Sequence, residues 1–177
     1  MRKVAVIGSS AAGKTTLAAE LARRLGVVHI ELDALHHGPN WTAAPPAEFR
    51  ARVRSAMDSA PDGWVIDGNY QSKLGDLVTD AADTVIWLDL PLNVVLWRLW
   101  VRTSDRIRRR VELWNGNRES WRGAFWGRES LFVWTLRSFA RRRREWPRRF
   151  AASETRVTRL RSPSEVQGWL DRLKIGP

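Results

Sequence analysis

Eight residues near the start of the chain narrow what it can fold into more than any other feature. Gly8-Ser9-Ser10-Ala11-Ala12-Gly13-Lys14-Thr15 fits the phosphate-binding pattern G-x-x-x-x-G-K-[ST]. Before it runs Val4-Ala5-Val6-Ile7, a short apolar stretch that reads as a buried parallel strand. After it, Thr16 to Leu25 is a run of good helix formers stopped by Gly26. Strand, glycine turn and helix together are the setting the pattern requires. Gly8 and Gly13 allow a tight turn and close approach to phosphate. The amides of the loop and the helix N-terminus, spanning Gly8 to Thr16, converge on the anion. Lys14 is expected to reach the β- and γ-phosphates and the Thr15 hydroxyl to ligate Mg²⁺, so ATP and Mg²⁺ are the expected cofactors.

The length, 177 residues, suits one domain, 1–177, with a sizeable core. There is no cysteine, which excludes disulfides and thiolate metal sites and fits a cytoplasmic location. The N-terminal apolar run is short and flows into the phosphate loop, unlike a signal peptide. No apolar stretch approaches the roughly 18 residues of a transmembrane helix. The charge is uneven. Residues 98–149 hold 16 arginines against 5 acidic residues, which accounts for the whole formal charge of +11. Arginine suits bidentate phosphate contact and aromatic stacking.

Further strands are expected at Val27–Leu32, Trp64–Asp67, Thr84–Asp89 and Arg156–Leu160. Helices are expected near 46–59, 74–80, 91–110 and 127–145, the last ended by Pro147, with a final one from Pro163 to about 173. Residues 111–125 read as irregular, with a turn at Asn115-Gly116-Asn117. Near-continuous apolar strands alternating with helices argue an α/β fold with a parallel sheet covered on both faces. Ligands then bind at the C-terminal strand ends, where the phosphate loop, Asp33, Asp67 and Asp89 all fall.

Leu32-Asp33-Ala34-Leu35-His36, Gly38-Pro39-Asn40-Trp41, Trp64-Val65-Ile66-Asp67-Gly68-Asn69-Tyr70 and Glu112-Leu113-Trp114-Asn115-Gly116-Asn117-Arg118-Glu119 carry a resemblance beyond the loop. With them the chain resembles the adenylate kinase-like P-loop kinases, in particular the bacterial branch labelled DNA topology modulation or adenylate-kinase-related proteins. The resemblance spans nearly the whole chain. It implies a P-loop NTPase fold, a five-stranded parallel sheet flanked by helices, with a lid at approximately 103–127 that is rich in arginine and tryptophan. It implies a kinase, a transferase that moves the γ-phosphoryl of Mg-ATP to a small molecule. It also assigns Asp67 to the Mg²⁺ shell and places Asp33, His36, Asn69 and Tyr70 at the acceptor.

Adenylate kinases continue Asp-Gly with Phe-Pro-Arg, whereas here Asn69-Tyr70-Gln71 follows Asp67-Gly68. The arginine that would hold an acceptor phosphate is missing, and Lys73 could substitute for it. Hydroxyl kinases such as those for gluconate and shikimate place an acidic residue where Asp33 stands. A hydroxyl acceptor benefits from a base and a phosphate acceptor needs none. Both a nucleoside monophosphate and a hydroxyl compound stay open as acceptor, with Asp33 tilting toward the hydroxyl. Asp33 could instead brace its loop, Asp67 cap the turn at Gly68, and His36 pack as a loop histidine. Asp89, before Pro91, is expected to cap the next helix, with a metal role as the alternative.

Arg98 and Arg102 lie four apart on one helix face, and Arg118 follows the Asn-Gly-Asn turn. The resemblance puts such arginines on the transferred phosphoryl; the alternative is surface arginine in an Arg-rich chain. Tryptophans interleave with the arginines through 98–149, which leaves two further readings. One is a nucleic-acid-associated ATPase of the DNA topology modulation type, disfavoured because no helix-turn-helix, zinc finger or RNA-binding aromatic motif occurs. The other is contact with an anionic membrane surface, also disfavoured. Arg141-Arg142-Arg143-Arg144 reads as a solvated face.

Overall fold

The computed structural model describes residues 1–127, 130–151 and 155–173. The chain runs β1 (Lys3–Gly8), α1 (Lys14–Leu25), β2 (Val28–Glu31), α2 (Leu32–His36), a 3₁₀ turn (Pro39–Trp41) and α3 (Pro46–Asp58). It continues through β3 (Trp64–Asp67), α4 (Gln71–Leu74), α5 (Leu77–Asp80), β4 (Thr84–Leu88) and α6 (Leu92–Arg108). A second 3₁₀ turn (Trp114–Gly116), α7 (Trp121–Phe125), α8 (Leu131–Ala151), β5 (Arg156–Leu160) and α9 (Pro163–Arg172) complete it. All the strands are parallel, in the order β2-β3-β1-β4-β5.

Successive side chains of a strand point to opposite faces, and β1 shows the result. Ala5 and Ile7 join Phe49, Val53, Ile66 and Trp146 on one side of the sheet. Val4 and Val6 join Leu17, Leu21, Val65 and Val95 on the other. Each large apolar side chain buried this way contributes roughly 1.5–3 kcal/mol. Two covered faces are what the uninterrupted apolar strands require. Gly8, Asp67 and Leu88 end their strands at the same edge of the sheet, and the loops there build the site.

Four local expectations change. The strand expected to run to Leu32 stops at Glu31, so Asp33 sits in the first turn of α2. The 74–80 helix is two short helices, split at Gly75 where φ is 60°. The irregular 111–125 stretch contains the second 3₁₀ turn and α7, and Glu112 and Arg118 form an antiparallel bridge. Pro147 does not end the helix expected at 127–145: α8 continues to Ala151 with the proline inside it. Trp146 and Phe150, either side of Pro147, pack on Trp87 of β4 at 5.4 and 6.3 Å between ring centroids. Burial of those rings outweighs the one backbone hydrogen bond that the proline removes. No helix among the described residues is long and apolar enough to cross a membrane.

Candidate active site

Gly8 closes β1 against β4, where a Cβ would stand 2.8 Å from the Leu88 carbonyl oxygen, so only glycine fits. The loop then bends through Ala11, held at φ 59°, and Gly13 at φ 97°. A left-handed non-glycine residue costs about 1–2 kcal/mol, strain of a kind that binding loops retain. Helix α1 has no side-chain cap and no acidic residue in its first turn. Its leading N–H groups are therefore available to an anion. Ser10, Ala12 and Thr16 line the cleft in front of them. Lys14 Nζ donates to the Ser9 carbonyl at 3.0 Å. Burial pushes the Lys14 ammonium down to about 8, while Asp33 and Asp67 pull it back up.

Asp67 ends β3 and is 4% exposed. Its carboxylate accepts from Thr15 Oγ1 at 2.6 Å and lies 3.2 Å from His29 Nε2. That contact raises the His29 imidazole above its ordinary range. Hydroxyl and carboxylate are hard oxygen donors, which suit Mg²⁺ completed by water and phosphate oxygens. No cluster of three His, Cys, Asp or Glu among the described residues could hold a metal by itself. The residues therefore fit a cation that arrives with the phosphates.

Asp33 and Lys14 line one open cleft of about 1840 Å³. Asp33 Oδ1 accepts from the Tyr70 hydroxyl at 2.6 Å, and that hydroxyl is 3.2 Å from His37 Nε2. Burial and the Asp33 charge push the Tyr70 phenol up, so it stays a donor. His36 is 4% exposed and packs between Phe49 and Tyr70, with ring centroids at 4.8 and 4.6 Å. The Asn69 amide is engaged by the loop itself: it accepts from the Gly8 N–H at 3.1 Å and donates to the Gly8 carbonyl.

Arg98 Nη1 donates to the Ala12 carbonyl at 3.2 Å, so it touches the phosphate loop directly. Arg102, one turn on, is half-buried, and its buried Nε has no hydrogen-bond partner among the described residues. Burial, then the neighbouring Arg106, push its guanidinium down. Arg118 is exposed on the cleft rim, 3.5 Å from Glu112. The turn before it grips the loop beyond α2. Asn117 Oδ1 accepts from the Trp41 N–H at 2.7 Å, and its amide donates to the Gly38 carbonyl at 2.9 Å. Trp114 stacks on His37 at 6.2 Å and donates to Glu31 at 3.0 Å.

Two expectations about charge change. Arg141–Arg144 is not uniformly solvated. Arg142 is 7% exposed, lies over the Trp134 and Trp146 rings at 5.1 and 5.8 Å, and donates to the Gly8 carbonyl at 3.4 Å. Burial pushes it down to about 10. The signal was present in the spacing: Thr135, Ser138, Phe139, Arg142 and Trp146 fall on one helical stripe, and all are buried. Asp89 does not cap α6. It accepts from Arg143 at 2.8 Å and from Arg159 at 2.6 Å, tying β4 to α8 and β5.

A family model described as an AAA domain matches residues 4–159. Among solved structures, a sugar kinase from Janibacter sp. HTCC2649 superposes with a TM-score of 0.56 at 20% identity, covering 100% of this chain and 96% of that one. A shikimate kinase from Bacteroides thetaiotaomicron superposes at 0.59 and 14% identity, covering 97% of this chain and 96% of that one. No curated protein sequence matches the chain. The two structures share its fold, an α/β P-loop fold with a five-stranded parallel sheet, and the chain belongs to the AAA-domain family whose model it matches.

Proposed function

We propose that the protein is a phosphotransferase that moves the γ-phosphoryl of Mg-ATP to a small-molecule acceptor, preferentially a hydroxyl compound. The observation that carries this reading is the shared cleft of Asp33 and the phosphate loop, with Asp33 Oδ1 held by Tyr70. The kinases of like fold support it, as do the residues that resemble the adenylate kinase-like branch. Thr15 and Asp67 would hold Mg²⁺, which neutralises charge on the β- and γ-phosphates when bound.

Lys14, Arg98 and Arg102 present cationic donors to the charge that spreads over the transferred group. Arg102 has no carboxylate within ion-pair distance among the described residues. Asp33 orients the acceptor hydroxyl and receives its proton as the new O–P bond forms and the bridging O–Pγ bond breaks, releasing ADP. The segment around 103–127 acts as the lid, and Arg118 comes with it. A nucleoside monophosphate remains the other acceptor class. The competing nucleic-acid reading draws on the basic 98–149 region. Yet Arg98, Arg102, Arg142 and Arg143 face the loop, the cleft or Asp89 rather than an outer track.

The test is ATP-dependent transfer against a panel of polyols, nucleosides and nucleoside monophosphates. Transfer to at least one panel member is expected, and Lys14→Ala should reduce it by about 10²–10³-fold with the thermal melt unchanged. Equal turnover by the variant would overturn the assignment.

A further inference from the structure

Around the acceptor end of the cleft the charges are largely matched. Arg106 meets Glu119 at 3.3 Å and Arg118 meets Glu112 at 3.5 Å. Lys73, which also lines the cleft, differs. Among the described residues its ammonium has no carboxylate within ion-pair distance, and its hydrogen bond, 2.8 Å long, goes to Nε2 of His36. An ammonium can only donate, so Nε2 accepts and the imidazole proton sits on Nδ1. Burial, and then the Lys73 charge, push His36 down to about 4, which keeps the ring neutral at pH 7.

That arrangement is poorly suited to stabilising the fold. Nδ1 of His36 is buried without a hydrogen-bond partner among the described residues. An unpaired buried N–H costs about 1–3 kcal/mol, and a neutral acceptor returns less than a carboxylate would. What the pair does achieve is to fix the position of an ammonium without neutralising it. The same cleft carries Asp33, with Trp41 and Trp114 as aromatic walls.

We propose that Lys73 anchors an anionic group of the acceptor, so that the molecule phosphorylated carries a carboxylate or phosphate in addition to its reacting hydroxyl. This deepens the phosphotransferase reading and rests on it. Asp33 repels an anion and accepts a hydroxyl; Lys73 attracts an anion and has nothing to offer a proton donor. The two residues thereby give the acceptor a direction in the cleft.

The experiment uses matched compounds: glycerol with glycerate and glycerol phosphate, and glucose with gluconate and glucose 6-phosphate. The parent should prefer at least one charged member over its neutral partner by 30-fold or more in kcat/KM. The carboxylate and phosphate arms then tell which anion it is. Lys73→Met should raise KM for that member by 30-fold or more with kcat within threefold, and Lys73→Arg should restore it. Equal use of charged and neutral members, or an unchanged KM in Lys73→Met, overturns the proposal.

If no compound is phosphorylated, here or in the wider panel of polyols, nucleosides and nucleoside monophosphates, the phosphotransferase reading fails separately. Inorganic phosphate is then titrated by calorimetry into protein saturated with MgADP, which fills the phosphate loop. A phosphate site weakened tenfold or more by Lys73→Met still supports the anchor, and identical titrations overturn it. Lys73→Gln repeats each measurement should the methionine variant melt early.

Discussion

The Asp33 carboxylate has one identified hydrogen-bonding partner among the described residues, the Tyr70 hydroxyl at 2.6 Å. Removing its charge should act on chemistry more than on folding. Asp33→Asn is expected to lower kcat about 10²–10⁴-fold for a hydroxyl acceptor. For a phosphate acceptor the loss should be small, so the ratio of the two separates the acceptor classes. His36 gives a prediction in stability. Its folded value, about 4, lies below the ordinary 6.5, chiefly because of burial. Between those values the unfolded chain binds the proton and the folded one does not, so stability rises with pH through that window and is lost as pH falls toward 4. The contribution is on the order of 2 kcal/mol. Urea midpoints at pH 7 and pH 4.5 should therefore converge in His36→Phe relative to the parent; an unchanged gap would contradict the assignment.

The phosphate loop was legible in the sequence because it is built from consecutive residues whose backbone does the binding. Lys14 and Thr15 needed no distant partner to be recognised. Tyr70 on Asp33, 37 positions away, was visible only as a motif neighbour, and the Lys73–His36 pair not at all. Such contacts depend on how α2 and α4 meet across the sheet edge, which no local pattern encodes. Asn69 had the right neighbourhood, but its amide bonds Gly8.

At the scale of elements, β3 was readable to the residue, since a buried parallel strand is an apolar run bounded by turns, and the mostly half-buried edge strand β5 also fell on its expected bounds. Helix α8 was not, because a proline normally ends a helix and tertiary packing overrides it here. Pro147 is exposed, between buried Trp146 and half-buried Phe150. Pro147→Ala should restore the missing backbone hydrogen bond and raise stability by about 1–3 kcal/mol. Calorimetric melting would check it: a lowered melting temperature would mean that the proline's fixed geometry is what seats Trp146.

At the scale of the whole molecule, the cleft is bounded by parts far apart in sequence: the phosphate loop, α2 and α4, α6, and the 112–118 turn. Asn117, 3% exposed, is the tightest joint between them, engaging Trp41, Gly38 and Trp114 at once. Asn117→Ala should raise acceptor KM tenfold or more while leaving ATP affinity within twofold. An equal loss on both substrates would show that the turn supports the cleft as a whole.

That joint has a consequence in time. Among the described residues, the 112–118 turn fastens to the loop beside Asp33 and makes no hydrogen bond to the phosphate loop. The nucleotide and the acceptor would then queue at different doors. On the proposed function, the acceptor would have to arrive, and its product leave, during the intervals when Asn117 and Trp114 let go. Turnover would follow the frequency of that release, with viscosity slowing it and ATP concentration leaving it untouched.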